Sequence, residues 1–165
     1  MNSVVSALHR FNAVAARIML WVAGAGMLYL TAITGWQVFG RYLLNDTPQW
    51  VERTAIMLIL YVSFLAGAVG VREESHLGIA FIIEATPAWF QRIVAVGADL
   101  VMGAFGVGLV WYGLQLVRIT WPHVTPILGI PEGVTYLALP LGGAFITLFA
   151  LEHLLEVRVA DGSAG

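Results

Sequence analysis

Four long stretches almost free of charge, each fenced by arginine or an acid, constrain this chain more than any motif in it. Residues 18–40, 54–71, 93–117 and 133–151 contain a single formally charged side chain, Asp99. A helix rises about 1.5 Å per residue, so runs of this length cross a hydrocarbon core of roughly 30 Å. The pattern predicts an all-α membrane protein with four transmembrane helices. Hydrophobic residues make up 59% of the chain and charged ones 11%, too few charges to solvate the surface of a globular domain of 165 residues.

The same composition excludes whole classes of function. There is no lysine and the net charge is −2, which leaves no basic footing for nucleic acid. With no cysteine there is no disulfide frame, thiolate metal site or cysteine nucleophile. His9, His76, His123 and His153 fall at span ends or in loops, which disfavours paired haem ligands. No zinc-binding histidine pair, glycine-rich loop with lysine, or intramembrane serine with a base is present, so neither an enzyme nor a cofactor is expected.

Helix punctuation gives the same segmentation. Thr47-Pro48 opens the second run, with Glu52 following; Thr86-Pro87 opens the third and Ile130-Pro131-Glu132 the fourth. The expected spans are about 15–41, 49–71, 88–118 and 132–156, in one membrane domain of residues 1–157 with a disordered tail at 158–165. The first run is preceded by Arg10 and Arg17 but is too long for a signal core, so it is read as a retained helix. Between the second and third spans, Leu77–Ile83 is too short to cross and is expected as a short interfacial helix, a connector dipping into headgroups being the alternative. Arg10, Arg17, Arg72, Arg92 and Arg158 fall on one side and Arg41, Arg53 and Arg118 on the other, which favours both termini in the cytoplasm.

Asp99 is the ionisable group expected inside the apolar region. Ala95, Asp99, Gly103, Gly106, Val110 and Gly113 share one helical face, a seam of small residues along which another helix can approach closely. Asp99 is therefore expected to hydrogen-bond across that seam or to a partner. A proton or ion ligand is the sharper alternative, weakened because no second acid is expected at the same depth. Pro140, the only proline inside a span, leaves the Tyr136 carbonyl without its usual donor and, beside Gly142-Gly143, predicts a packing kink. Mid-span polar residues are sparse (Thr31, Thr34, Ser63, Thr147), so no polar solute route is apparent and a packing subunit is expected.

The stretch Gln37 to Glu52, QVFGRYLLNDTPQWVE, resembles the first loop of the small membrane subunit of tripartite ATP-independent periplasmic (TRAP) transporters, the DctQ family. Gly67, Arg72 and His76, the return Pro126 to Pro131 and the run Tyr136 to Gly142 fit the same family in order, whereas Arg53 and Ala80 stand where it often has acids. The resemblance implies a non-catalytic small subunit of the bacterial inner membrane, in contact with lipid. It also implies a large DctM-type partner carrying the substrate and sodium sites, and a periplasmic substrate-binding protein delivering an organic acid. On that basis Arg41, Tyr42, Trp50 and Glu52, with an Arg41–Glu52 ion pair, and Arg72, Glu73 and His76 are candidate subunit contacts, against ordinary interface anchoring and solvated loop charge. The competing expectation is a self-sufficient homo-oligomeric multidrug-type transporter, although such proteins carry a glutamate in the first span and this one has no acid there.

Overall fold

The computed structural model describes residues 2–45, 48–73 and 88–162, with side-chain environments for 8–45, 48–73, 90 and 93–155. Helix α1 runs Asn2–Phe39 and continues through a π-helical turn, Gly40–Leu44. Helix α2 is Gln49–Arg72 and α3 is Ala88–Thr120. A single turn, α4 (Gly133–Tyr136), leads into α5, Ala138–Gly162. Four of these segments are long and apolar enough to cross a membrane. The expected helix at Leu77–Ile83 lies outside the described residues, as do Thr47, His76 and Thr86.

Two boundaries differ from expectation for local reasons. Helix α1 starts at Asn2, well before residue 15, because nothing between Asn2 and Arg17 breaks a helix. At about 57 Å it exceeds the hydrocarbon thickness, so part of it must lie beyond the core. Helix α5 runs to Gly162, past the point where a disordered tail was expected, since Glu156 to Ala160 continue the helix without a breaker. Pro48, with extended backbone, is itself the N-cap of α2 and makes no side-chain capping bond.

The helices form a row in which α1 packs on α2, α2 on α5 and α5 on α3, while α1 reaches α5 more lightly. Helix α5 is therefore the central post, and it is the most buried of the four spans. Two adjacent glycines make this possible. Neighbouring helical positions diverge by about 100°, so Gly142 faces α2 while Gly143 faces α3. A Cβ on Gly142 would stand 2.7 Å from the Cβ of Phe64; one on Gly143 would stand 2.7 Å from the Gly106 carbonyl oxygen and from the Leu109 Cβ. Farther along the seam, a Cβ on Gly113 would meet the Pro140 ring at 2.8 Å, and one on Gly103 would make ordinary contact with Ala150. Lipid offers tails as apolar as leucine, so close backbone approach and dispersion hold such helices together.

The proline sits where this architecture tolerates it. The chain breaks between α4 and α5 at Leu137, and Pro140 falls in the first turn of α5, where its missing N–H sacrifices little. Normal bonding resumes at once, the Leu141 N–H donating to the Leu137 carbonyl at 3.2 Å. Toward the chain termini, Ala16, Met19, Ala68, Val69, Ile146 and Phe149 form the apolar core shared by α1, α2 and α5. Outward, α1 and α3 expose large apolar side chains such as Trp21, Leu28, Val101 and Tyr112, as lipid-facing helices do.

Gly143→Leu forces α3 away from α5 and is expected to destabilise the bundle by about 1–3 kcal/mol. Gly108→Ala, where nothing stands within 4 Å, is expected to stay within about 0.5 kcal/mol. Thermal unfolding in a mild detergent compares the two.

Candidate functional site

At the end of the bundle that carries both termini, polar side chains from all four spans meet in one layer. Asn12 of α1 donates through Nδ2 to Glu152 Oε2 of α5 at 2.7 Å, and both residues are buried, 0% and 3% exposed. Arg72, the last residue of α2, brings Nε to 3.7 Å from the same oxygen. One residue on, His153 places Nδ1 3.4 Å from Asp99 Oδ1 of α3 and Nε2 3.2 Å from the Arg72 carbonyl.

Helix geometry explains the arrangement. Consecutive residues Glu152 and His153 point in different directions from α5, one toward α1 and α2 and the other toward α2 and α3. The last carbonyls of α2 have no intrahelical donor, and the His153 ring stands against one of them. The Glu73 N–H turns back to the Val69 carbonyl at 3.0 Å, closing the helix just before the chain leaves it. A carboxylate this deeply buried is tolerable only with partners, and Glu152 has an amide and a guanidinium beside it.

The opposite end is built from backbone. After the π turn, Asn45 adopts a left-handed conformation (φ 54°) and its N–H bonds the Gly40 carbonyl, which lets the chain leave α1. Between α3 and α4 the return is a tight hairpin: Thr125 N–H to the Ile130 carbonyl at 2.9 Å, Gly129 N–H to the Thr125 carbonyl at 2.9 Å, and Glu132 N–H to the His123 carbonyl at 2.7 Å. Gly129, at φ 65°, supplies the conformation this turn requires. Tyr61 of α2 ties the region down, its hydroxyl donating to the Val134 carbonyl at 2.7 Å. A shallow cavity of about 60 Å³ opens here, lined by Arg53, Thr125, Glu132 and Tyr136 among others. That is room for water, far below the size of a solute site.

Of the residues singled out in the sequence, Asp99, Gly103, Gly106 and Pro140 all lie on the α3–α5 contact. Arg41 and Tyr42 are exposed on the π turn, and Trp50 and Glu52 are exposed at the start of α2. No ion pair joins Arg41 to Glu52 among the described residues; both side chains remain in a high-dielectric setting where such a pair gains little. Arg72 turns into the bundle toward Glu152, Glu73 is exposed, and His76 lies outside the described residues.

Two expectations are corrected. His153 is a bundle residue rather than a span-end one, and Glu152 supplies a second acid beside the Asp99 layer. The signal was present in the spacing: Asp99 is seven residues from Arg92 and His153 five from Arg158, a similar depth on antiparallel helices. Asn12 lies before the expected start of the first span, in the part of α1 that the apolar run does not mark. No group of three His, Asp or Glu side chains among the described residues is placed to hold a metal ion.

Glu152→Ala removes the acceptor of the buried Asn12 amide and leaves Arg72 without its carboxylate. The expected cost is about 3–5 kcal/mol. Asn12→Leu, which removes only a neutral partner, is expected to cost less. Thermal unfolding of each variant in detergent gives the order.

The model of the DctQ component of tripartite ATP-independent periplasmic transporters matches residues 30–159. The isethionate TRAP transporter permease protein DctMQ of Oleidesulfovibrio alaskensis is 27% identical over 84% of this chain, which spans only 23% of that longer protein. The sialic acid TRAP transporter small permease protein SiaQ of Vibrio cholerae is 25% identical, over 79% of this chain and 76% of its own length. The C4-dicarboxylate small permease protein DctQ of the same organism is 24% identical, over 78% of this chain and 66% of its own. With four membrane-crossing helices and a match over most of its length, the chain belongs to the DctQ family of multi-pass inner-membrane TRAP transporter components and is a transporter subunit, not an enzyme.

Proposed function

We propose that this chain is the small, non-catalytic subunit that braces the scaffold of a large DctM-type permease during uptake of an organic acid. The observation that carries it is the way the spans use their polar groups. Thr31 and Thr34 donate to the Met27 and Leu30 carbonyls at 2.9 and 2.8 Å, and Thr147 donates to the Gly143 carbonyl at 2.8 Å. Each hydroxyl is thus spent on its own helix, and the backbones of α3 and α5 meet where a route would have to pass. A transport pathway needs polar groups aimed at a lined cavity near the midplane; here Thr31 and Thr34 are exposed on the outside of α1, Thr147 is bonded to its own helix, and α3 and α5 are closed on each other.

A partner follows from the relatives. In the isethionate permease DctMQ the region like this chain is 23% of the whole, and in the sialic acid permease SiaT of Haemophilus influenzae it is also 23%. The small unit is there one part of a larger permease polypeptide. The named cargoes of these relatives, isethionate, sialic acid and C4-dicarboxylates, all carry an acidic group. An organic acid delivered by a periplasmic binding protein and driven by sodium is the corresponding assignment for the complex, with the selecting residues on its other subunits. Five arginines at the terminus-bearing end against three at the other favour both termini in the cytoplasm.

The exposed Arg41, Tyr42, Trp50 and Glu52 at one end and the exposed Glu73 at the other are assigned as contacts to the partner, whereas Arg72 is engaged within the bundle. The decisive experiment is purification of tagged chain with its large subunit in mild detergent. A stoichiometric complex whose uptake requires both polypeptides is expected. A stable homodimer that transports alone in liposomes would instead establish the self-sufficient pump. In the same complex, losses of stability on Arg41→Ala and Glu52→Ala are expected to add within about 0.5 kcal/mol, because no ion pair couples the two side chains.

A further inference from the structure

Helix α1 packs on one side only, against α2 and more lightly against α5. Asn12, Ala16, Met19 and Ala23 are buried on that side. Arg10 and Arg17 lie on the opposite side and are exposed. They are seven residues apart, so they stand within about 20° of each other around the helix. Neither makes an ion pair among the described residues. Val14, Ile18 and Trp21 form the adjoining stripe, each more than half exposed.

The polar layer gives the depth of this face. Arg72 is 19 residues from Arg53 along α2, and Asp99 is 19 from Arg118 along α3, about 28 Å in each case. The layer therefore stands at the edge of a hydrocarbon core of roughly 30 Å. Asn12 belongs to that layer through Glu152. Arg17 is five residues farther along α1, about 7.5 Å deeper, where a guanidinium facing lipid is costly unless it reaches an anion. Helical side chains lean toward the helix N-terminus, here toward the headgroups, so the long Arg17 chain extends back to the level of the layer. Arg10, two residues before Asn12, stands just outside that level. The two cations thus converge from either side on the plane where phospholipid phosphates lie.

We propose that the terminus-bearing end of α1 binds an anionic phospholipid, with its phosphate between Arg10 and Arg17 and an acyl chain along Val14, Ile18 and Trp21. A phosphodiester accepts hydrogen bonds from both planar guanidiniums, and an anionic leaflet surface attracts arginines near it. The apolar stripe selects a lipid over a soluble phosphate, because only a lipid carries a chain to cover it. The bound lipid holds the outward side of α1, on which no other helix packs among the described residues, at one depth.

The test titrates the full chain in mild detergent with phosphatidylglycerol or phosphatidylcholine and counts bound lipid by native mass spectrometry. Phosphatidylglycerol is expected to be retained roughly tenfold more tightly, and Arg10→Gln with Arg17→Gln together to lose that preference. Arg118→Gln, which removes an exposed arginine at the other end, is expected to keep it. Equal retention of the two lipids by the unmodified chain overturns the site, whatever the variants do. So does a preference that survives the double substitution, or one that Arg118→Gln removes equally. In the complex with the large subunit in nanodiscs, cryo-electron microscopy is expected to show phosphate density between Arg10 and Arg17. Bare arginines there, or a carboxylate of the large subunit in its place, refute the lipid.

Discussion

The bundle depends on α5 standing within backbone contact of two neighbours at once. Gly142 and Gly143 are the reason: any side chain at either position would separate α5 from α2 or from α3. Among the described residues, helix α3 has no comparable second support, its main contacts running to α5 and the short α4. The α3–α5 seam thus determines whether the third span belongs to the fold at all. In lipid, with little solvent-driven force between apolar helices, the shape of this contact carries what a hydrophobic core would carry in water.

The polar layer works differently. Burying Glu152 costs free energy that apolar side chains of the same shape would not, and such layers are weak evidence of stability. What it supplies is registry. Asn12, Arg72, Asp99 and the Glu152–His153 pair meet only when all four spans are in one axial alignment, and a slide of one turn, about 5.4 Å, would separate every partner. The glycine seam sets how close α3 and α5 come; the polar layer sets how far along each other they lie. The two devices act on the same helix, one near its start and middle and the other toward its end.

Much of this was legible in the sequence because a membrane span announces itself. Four nearly charge-free runs point to the helices, and the small-residue face on which Asp99 lies gives a candidate contact surface. Asn12, Glu152 and His153 escaped because hydropathy reads them as boundary residues. The fourth apolar run stops at Leu151, but the helix continues, and Glu152 and His153 just beyond it face other polar side chains. Pairing is what makes an interior acid acceptable, and pairing is a property of several helices that no single window contains. The π turn at Gly40–Leu44 escaped for another reason. Its bonding depends on Asn45 turning left-handed, a local choice that the apolar pattern does not encode.

A subunit that braces a larger partner, as proposed, has to be rigid in order to be useful. If a large partner moves its cargo by displacing one part of itself against another, the part that stays still must resist the reaction force. Independent helices in lipid tilt and slide at small cost, so four separate spans would yield. Here three features oppose that: backbone contact along the seam, a charged layer that penalises axial slip, and a hairpin and tyrosine tie at the far end. Each restrains a different motion, separation, sliding and splaying respectively. The exposed faces of α1 and α3 then present a stiff surface on either side of a central post, which is the mechanical property that a brace requires.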